Sequence, residues 1–132
     1  MNGIYLDTSA LGRVLLDEPD AALIREQIAV HVPRWSSELI VVELRRLAAR
    51  ERLLTAAERL LSGVQLLPVG SASLLRASRI EPVTVRSLDA IHLDAAVRLR
   101  KRGSITAVMT YDRQLQAGCS HHELSVLAPA AA

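Results

Sequence analysis

The chain has 132 residues, half of them apolar, and a formal net charge of +2 at neutral pH. That length predicts a single domain, residues 1–132, large enough to bury a full hydrophobic core. Cys119 is the only cysteine, which excludes an internal disulfide and fits a reducing compartment. No uncharged apolar run approaches the roughly 18 residues of a membrane span, and no basic leader is visible. We therefore expect a cytoplasmic protein without a membrane partner.

The basic and aromatic residues narrow the classes of partner. Only Lys101 among the 16 basic residues is a lysine, and arginine binds phosphates and carboxylates with a planar fork that lysine lacks. A GC-rich genome would produce the same bias. Tyr5, Trp35 and Tyr111 are the only Phe, Tyr or Trp residues, which argues against an RNA-binding sheet that stacks bases on aromatic rings.

Apolar runs separated by helix-breaking residues divide the chain into alternating strands and helices. The predicted strands are short: residues 3–6, 33–36, 64–69, 105–110 and 124–127. The predicted helices cover residues 10–16, 21–30, 38–52, 55–62, 71–79, 87–102 and 113–117. This alternation indicates an α/β domain with a central, mostly parallel sheet of four or five strands flanked by helices.

Polar residues are expected to cap several of these helices. Thr8 or Ser9 precedes the first predicted helix, Asp20 the second, and Ser87 the long helix that follows Pro82. The basic residues near the end of that long helix complement the negative end of the helix dipole.

Four acidic residues stand beside or inside apolar segments. Asp7 closes the first strand, Glu43 interrupts an aliphatic helix, Asp89 lies near the start of the long helix, and Asp112 follows the strand of residues 105–110. A carboxylate there loses hydration, which is tolerable only if a cation or a hydrogen-bond network replaces the water. We expect the fold to gather all four into one metal-binding pocket.

Parallel sheets collect functional residues at the carboxyl ends of their strands, where Asp7 and Asp112 both stand. Asp89 lies in a first helical turn, where the dipole favours its charged form. The neighbouring hydroxyls that can hold the carboxylates or bound water are those of Thr8, Ser9 and Thr110. Taken singly, each acid also has an ordinary structural explanation, as a helix cap, a dipole partner or, for Glu43, an ion-pair partner of Arg46.

Carboxylate oxygens are hard ligands that suit Mg²⁺ or Mn²⁺ better than zinc. The sequence has no Cys-x-x-Cys and no His-Glu-x-x-His pattern. The predicted metal is therefore Mg²⁺ or Mn²⁺, with one or two ions left open.

Four sequence blocks resemble the PIN domain, and more narrowly the VapC-type toxins of bacterial toxin–antitoxin pairs. The blocks are YLDTSAL at 5–11, VELRRL at 42–47, RSLDAIHL at 86–93 and TYDRQL at 110–115. The resemblance implies a PIN-like fold in which four acids ligate Mg²⁺ or Mn²⁺ and cut RNA. By position they are Asp7, Glu43, Asp89 and Asp112.

The hypothesis that follows is a metal-dependent endoribonuclease, the toxin of a type II pair, that leaves 5′-phosphate and 3′-OH ends. Asp7, Asp89 and Asp112 would hold the metal, and Glu43 would ligate or orient the attacking water. The resemblance also implies an antitoxin whose C-terminal segment covers the acidic pocket, often with an inserted arginine, and a homodimer. Two predicted helices carry aliphatic residues for such contacts or for the core: Leu23, Ile24, Ile28, Leu39, Ile40, Leu44 and Leu47.

Two positions need separate treatment. Asp94 stands where such toxins more often carry a small residue, and it lies about 140° around the helix from Asp89, so a shared metal is awkward. His92 is three residues beyond Asp89 and on nearly the same helix face. It either supports the acidic site from behind or packs as a core histidine.

Three other classes of protein remain open. A response-receiver domain would need a second acid directly after Asp7 and a lysine after a late strand, whereas Thr8 follows Asp7 and Lys101 precedes its strand. A PIN-like binding module without catalysis and a metal nuclease acting on structured DNA are the other two. The RNA target is not encoded in a recognisable motif.

Overall fold

The computed structural model describes residues 2–130. Five strands lie in that range: β1 Ile4–Leu6, β2 Arg34–Ser37, β3 Gln65–Leu67, β4 Ala107–Met109 and β5 Ser125–Leu127. The helices of the same range are α1 Thr8–Leu15, α2 Ala21–Val30, α3 Leu39–Glu51, α4 Leu54–Ser62, α5 Ser71–Ala77, α6 Ser87–Lys101 and α7 Arg113–His121.

The strands form one sheet in the order β3-β2-β1-β4-β5, and every pair in it is parallel. The expected α/β architecture with a flanked parallel sheet is confirmed. From β1, the chain adds β2 and β3 on one side of the sheet and then adds β4 and β5 on the other side. The carboxyl ends of β1 and β4, which pair directly, therefore border the crevice where open parallel sheets place their functional residues.

The sheet buries apolar side chains on both faces. In β1, Ile4 and Leu6 pack with α1, α3 and α4, whereas Tyr5 points to the opposite face, against α6 and α7. This alternation follows from the two-residue period of a strand. Because β1 is fully buried, its side chains each contribute about 1.5–3 kcal/mol of burial energy and fix its register.

Two predicted helix caps are wrong. The N-cap of α1 is Asp7, whose side chain accepts a hydrogen bond from the Ser9 backbone N–H, so Thr8 and Ser9 lie inside the helix. The N-cap position of α6 is Arg86, and Ser87 is the first helical residue. Asp20 does occupy the N-cap position of α2, but its carboxylate pairs with the Arg13 guanidinium at 3.0 Å instead of capping.

The final helix, α7, extends four residues beyond its predicted end, to His121. Cys119 therefore lies in a helix, fully buried in the core, and burial raises the pKa of its thiol to about 12. A thiol with that pKa remains protonated near neutral pH and is a poor nucleophile.

None of the helices within residues 2–130 is long and apolar enough to cross a membrane.

Candidate active site

Asp7 is held at the junction of the two central strands. It follows β1, caps α1 and is 4% exposed. Its Oδ2 accepts hydrogen bonds from the Ser9 hydroxyl at 2.7 Å and the Thr110 hydroxyl at 2.8 Å. These bonds compensate one carboxylate oxygen for its lost water, while Oδ1 faces the His92 imidazole at 3.6 Å.

The hydroxyls of Ser9 and Thr110 tie the ends of β1 and β4 together. Besides its bond to Asp7, the Thr110 hydroxyl accepts the Asp112 backbone N–H at 3.1 Å. The Ser9 hydroxyl accepts the Tyr111 backbone N–H at 2.8 Å. Each hydroxyl thus donates to the same carboxylate and receives from the chain after β4, which positions Asp112 relative to Asp7.

Glu43 reaches the same crevice from α3. Its Oε1 accepts hydrogen bonds from the Thr8 hydroxyl and from Nε2 of His92, each at 2.7 Å. Burial alone would raise the pKa of Glu43, but the His92 and Thr8 hydrogen bonds, together with the His92 charge, outweigh it and lower that pKa. Glu43 is therefore ionised at neutral pH.

His92 connects Glu43 to the core. Its ring is buried, with Nδ1 2.6 Å from the Tyr5 hydroxyl, and that hydroxyl accepts the Ser37 backbone N–H at 3.1 Å. Burial alone would lower the pKa of His92, but the Glu43 hydrogen bond and the charges of Asp7, Glu43 and Asp89 raise it. The imidazole therefore takes up a proton more readily than a free histidine, and in that form it offsets part of the negative charge around it.

Asp89 enters from the first turn of α6 and is half-buried. Its pKa is raised to about 6, first by burial and then by the negative charges of Asp112, Asp7 and Glu43, against a smaller opposing effect of His92. Because the charges of the other three acids contribute to this shift, Asp89 interacts electrostatically with each of them.

Asp112 is the N-cap of α7, and its Oδ1 accepts the Leu115 backbone N–H at 2.9 Å. Its carboxylate therefore combines the structural role of a cap with a place in the acidic crevice. Asp7 combines the same two roles at α1. The ordinary structural explanations for these two acids hold, and they do not exclude a further role.

The donor set of this crevice fits a divalent cation. As the side chains stand, no group of three His, Cys, Asp or Glu residues between positions 2 and 130 is arranged to hold a metal ion. The carboxylates instead engage hydroxyls, a helix N-terminus and an imidazole. Their oxygens are nevertheless the ligands that Mg²⁺ and Mn²⁺ prefer, and the raised pKa of Asp89 marks a repulsion that such an ion would relieve.

The sequence left open whether His92 supports the acidic site or packs in the core; its ring is buried, and its Nε2 lies 2.7 Å from Oε1 of Glu43. The hydrogen bond between His92 and Tyr5 was not predicted. The available signal was a tyrosine within a strand predicted to be wholly buried, because a buried tyrosine hydroxyl needs a partner. A histidine within an otherwise apolar helix face offered that partner.

Asp94 lies apart from these acids. It is buried, and its carboxylate pairs with the Arg76 guanidinium of α5 at 3.1 Å and with that of Arg98 at 3.7 Å. The carboxylate of Asp94 therefore has arginine partners instead of contacts with the acidic crevice.

The aliphatic residues of α2 and α3 mostly pack into the core: Ile24, Ile40 and Leu44 are fully buried. The most exposed large apolar side chains lie on several elements. Leu74 and Leu75 of α5, Val83 of the following loop and Leu88 of α6 are 50% to 82% exposed, and on or beside α2 and α3 the side chains of Val30, Val32 and Val42 are 56% to 67% exposed.

The chain is similar to known proteins over most of its length. The PIN domain family matches residues 4–119. Ribonuclease VapC47 of Mycobacterium tuberculosis (strain CDC 1551 / Oshkosh) is 37% identical over 123 residues, which cover 88% of this chain and 89% of that protein. Ribonuclease VapC46 of Mycobacterium tuberculosis (strain ATCC 25618 / H37Rv) is 33% identical over 131 residues, covering 98% and 99%. Ribonuclease VapC35 of the same species is 31% identical over 130 residues, covering 96% of each.

The chain therefore belongs to the PIN-domain family, and its relatives are of the VapC type.

Proposed function

We propose that this protein is a metal-dependent endoribonuclease and the toxin of a type II toxin–antitoxin pair. The observation that carries the proposal is the convergence of acidic side chains beside the carboxyl ends of β1 and β4, where His92 lies 2.7 Å from Glu43 and 3.6 Å from Asp7. Burial, and after it the charges of the neighbouring acids, raises the pKa of Asp89. The names of the relatives, each a ribonuclease, support RNA as the substrate.

In this proposal Asp7, Asp89 and Asp112 hold Mg²⁺ or Mn²⁺, and Glu43 ligates the metal or orients the attacking water. The metal, when bound, neutralises phosphodiester charge and lowers the pKa of a bound water. The hydroxyls of Thr8, Ser9 and Thr110 keep the carboxylates in place.

The protein's own groups prepare Glu43 for this role. One of its oxygens is fixed by Thr8 and His92, which restricts rotation of the carboxylate and keeps it ionised, as a group that orients water must be. Hydrolysis by water leaves 5′-phosphate and 3′-OH ends. Cyclic phosphate ends would instead require attack by the ribose 2′-OH.

A cognate antitoxin is the proposed regulatory partner. A concentration of negative charge in a crevice is complementary to an arginine side chain, which can pair with carboxylates through two parallel hydrogen bonds. The antitoxin would thus cover the acidic crevice with its C-terminal segment. A homodimer, formed through exposed apolar surface such as that of α5, and a cytoplasmic location complete the proposal.

A nuclease assay on the purified protein tests this function. We expect cleavage of an RNA hairpin with Mn²⁺ or Mg²⁺, no cleavage with a chelator, and no cleavage of the matched DNA hairpin. Asp7→Asn and Asp89→Asn should each lower the rate at least about 100-fold, since each removes a proposed ligand. Both variants should remain folded, because each removes one of several charges that repel one another.

The matched control is Asp17→Asn. Asp17 is exposed and lies outside the crevice, and its backbone is in the left-handed region, which asparagine adopts readily. It should retain the full rate. An Asp89→Asn variant that cleaves as fast as the wild type removes Asp89 from the site. Intact RNA in every metal condition would identify a binding module, and cleavage of the DNA hairpin alone would identify a DNA nuclease.

A further inference from the structure

A second feature of the surface is a groove between α5, the distal half of α6 and the turn before β5. It is a cavity of about 540 Å³. The charged residues that line it include Arg76, Arg79, Arg100 and Lys101. We call this feature the basic groove.

The basic groove contains an arginine that is held in place before any ligand arrives. Asp94, which is 4% exposed, accepts a hydrogen bond from Nε of Arg76 at 3.1 Å. A terminal nitrogen of the same guanidinium reaches the Ser73 hydroxyl at 3.4 Å. Two contacts on one guanidinium fix its plane, while the Arg76 side chain stays 42% exposed. Such an arginine loses little conformational entropy when it binds an oxyanion.

The other cations of the groove lack carboxylate partners. Arg79, Arg100 and Lys101 form no ion pair with any residue in the described range. The carboxylates that line the groove are those of Asp94, already paired with arginine, and Glu123. The helix dipole favours the cations at the end of α6 and also Arg76 in the last turn of α5, but it does not explain why the ends of two different helices place their cations in one groove.

The basic groove is distinct from the acidic crevice. Asp89 is in the first turn of α6, and Arg100 follows it by eleven residues, which is ~16 Å along a helix. The groove also includes Leu124, directly before the first residue of β5, and so lies toward the amino ends of the strands. A nucleotide bound at the four acids would not reach it, whereas a longer chain would.

We propose that the basic groove binds the phosphodiester backbone of RNA at a distance from the bond that is cut, with Asp94 as the residue that positions Arg76. Planar guanidinium groups pair with phosphate through two hydrogen bonds, and four permanent cations in one groove match a polymer that carries a charge at every residue. The choice of RNA rests on the proposed function, but binding at the groove does not require cleavage.

The test compares RNA binding by two double variants in the presence of a chelator, where cleavage is off. The first is Arg79→Gln with Arg100→Gln in the groove. The control is Arg25→Gln with Arg50→Gln, both exposed on α2 and α3 and also without ion pairs among residues 2–130. Fluorescence anisotropy of a labelled RNA hairpin gives the affinity over a range of salt concentrations.

We expect the groove variant to bind the hairpin about tenfold more weakly, and the slope of log affinity against log salt to fall by about 1.5, as for two lost phosphate contacts. The control variant should keep its affinity within about twofold. Unchanged affinity and slope in the groove variant, or equal losses in both variants, would overturn the proposal. If the groove variant lost its binding to polyglutamate but kept its binding to RNA, the groove would be a site for an acidic protein, and the proposal would also be overturned.

Asp94→Asn tests the positioning role separately. The substitution removes a negative charge, so long-range electrostatics alone predicts tighter RNA binding. Loss of the charged partner of Arg76 predicts weaker binding, by about threefold or more, in a variant whose circular dichroism matches the wild type. Tighter or unchanged binding would overturn the positioning role of Asp94.

Failure of the groove and failure of the ribonuclease are distinguishable. If the wild type cleaves RNA and the groove variant binds RNA normally, the ribonuclease proposal stands and the groove proposal fails. If the groove variant loses RNA binding but the wild type cleaves no RNA, the groove proposal stands and the ribonuclease proposal fails.

Discussion

At the scale of single residues, the acidic crevice depends on a buried relay of hydrogen bonds. The backbone N–H of Ser37 donates to the Tyr5 hydroxyl, that hydroxyl contacts Nδ1 of His92, and Nε2 of His92 contacts Glu43. Burial holds the pKa of Tyr5 far above its usual range, so its hydroxyl keeps its proton. The relay links the orientation of Glu43 to the middle of the sheet.

Tyr5→Phe should therefore destabilise the protein. The change leaves the Ser37 N–H and one nitrogen of His92 buried without their partner, which should lower the free energy of unfolding by about 1–3 kcal/mol. Urea denaturation followed by circular dichroism measures this loss.

Tyr111→Phe is the matched control, because its hydroxyl bonds the Pro129 carbonyl from a partly exposed position near the end of the described chain. We expect a loss of less than about 1 kcal/mol there. Equal losses in the two variants would show that the relay adds nothing beyond an ordinary tyrosine hydrogen bond.

At the scale of secondary-structure elements, close backbone contact fixes β1 against the segment between α6 and β4. A Cβ added to Gly3 would lie 2.0 Å from the carbonyl oxygen of Ser104, and the Gly3 carbonyl accepts the Thr106 N–H at 2.8 Å. A side chain at this position would push apart the amino ends of β1 and β4, the strands whose opposite, carboxyl ends lead to Asp7 and Asp112.

Gly3→Ala should consequently lower the free energy of unfolding by about 2–3 kcal/mol, the cost of an overpacked site. Thermal and urea denaturation check this value. A Cβ at Gly70 would meet nothing within 4 Å, so Gly70→Ala should change stability by no more than about 0.5 kcal/mol. A Gly3→Ala variant as stable as Gly70→Ala would contradict the close approach.

The elements were largely predictable because their signals are local. Runs of apolar residues located β1, β3, β4 and β5, whereas β2 was expected only as a short extended piece without such a run. Breakers such as Gly63 and Gly103 ended the correct helices. The caps at Thr8 and Ser9 were wrong because Asp7, directly before them, takes the N-cap position. Their hydroxyls instead bond Asp7, Glu43 and the backbone of Tyr111, and the last two contacts are not visible in a local pattern.

The same limit applies to the candidate site. Asp7 and Asp112 could be placed at one edge of the sheet because each directly follows a predicted strand. The bond between Tyr5 and His92 joins residues 87 positions apart, and the ion pair between Arg76 and Asp94 joins two helices. Neither contact can be predicted from a local pattern, although Asp94 stood out as an acid where the resembled toxins more often carry a small residue.

At the scale of the whole molecule, the topology separates two kinds of charge. The direct pairing of β1 with β4 brings the ends of α1 and α7 together, and α3 and α6 add Glu43 and Asp89 from the two sides. The basic groove lies toward the opposite end of α6. A protein arranged in this way would bind the polymer with one region and cut it with another.

The central claim is that the four carboxylates bind one kind of divalent cation together, and titration calorimetry with Mn²⁺ on the metal-free protein tests it most directly. We predict saturable binding by the wild type and by Asp17→Asn, and affinity at least about tenfold weaker for Asp89→Asn, since Asp89 is a proposed ligand. Wild-type protein that binds no Mn²⁺, or an Asp89→Asn variant that binds it as tightly, would contradict the account.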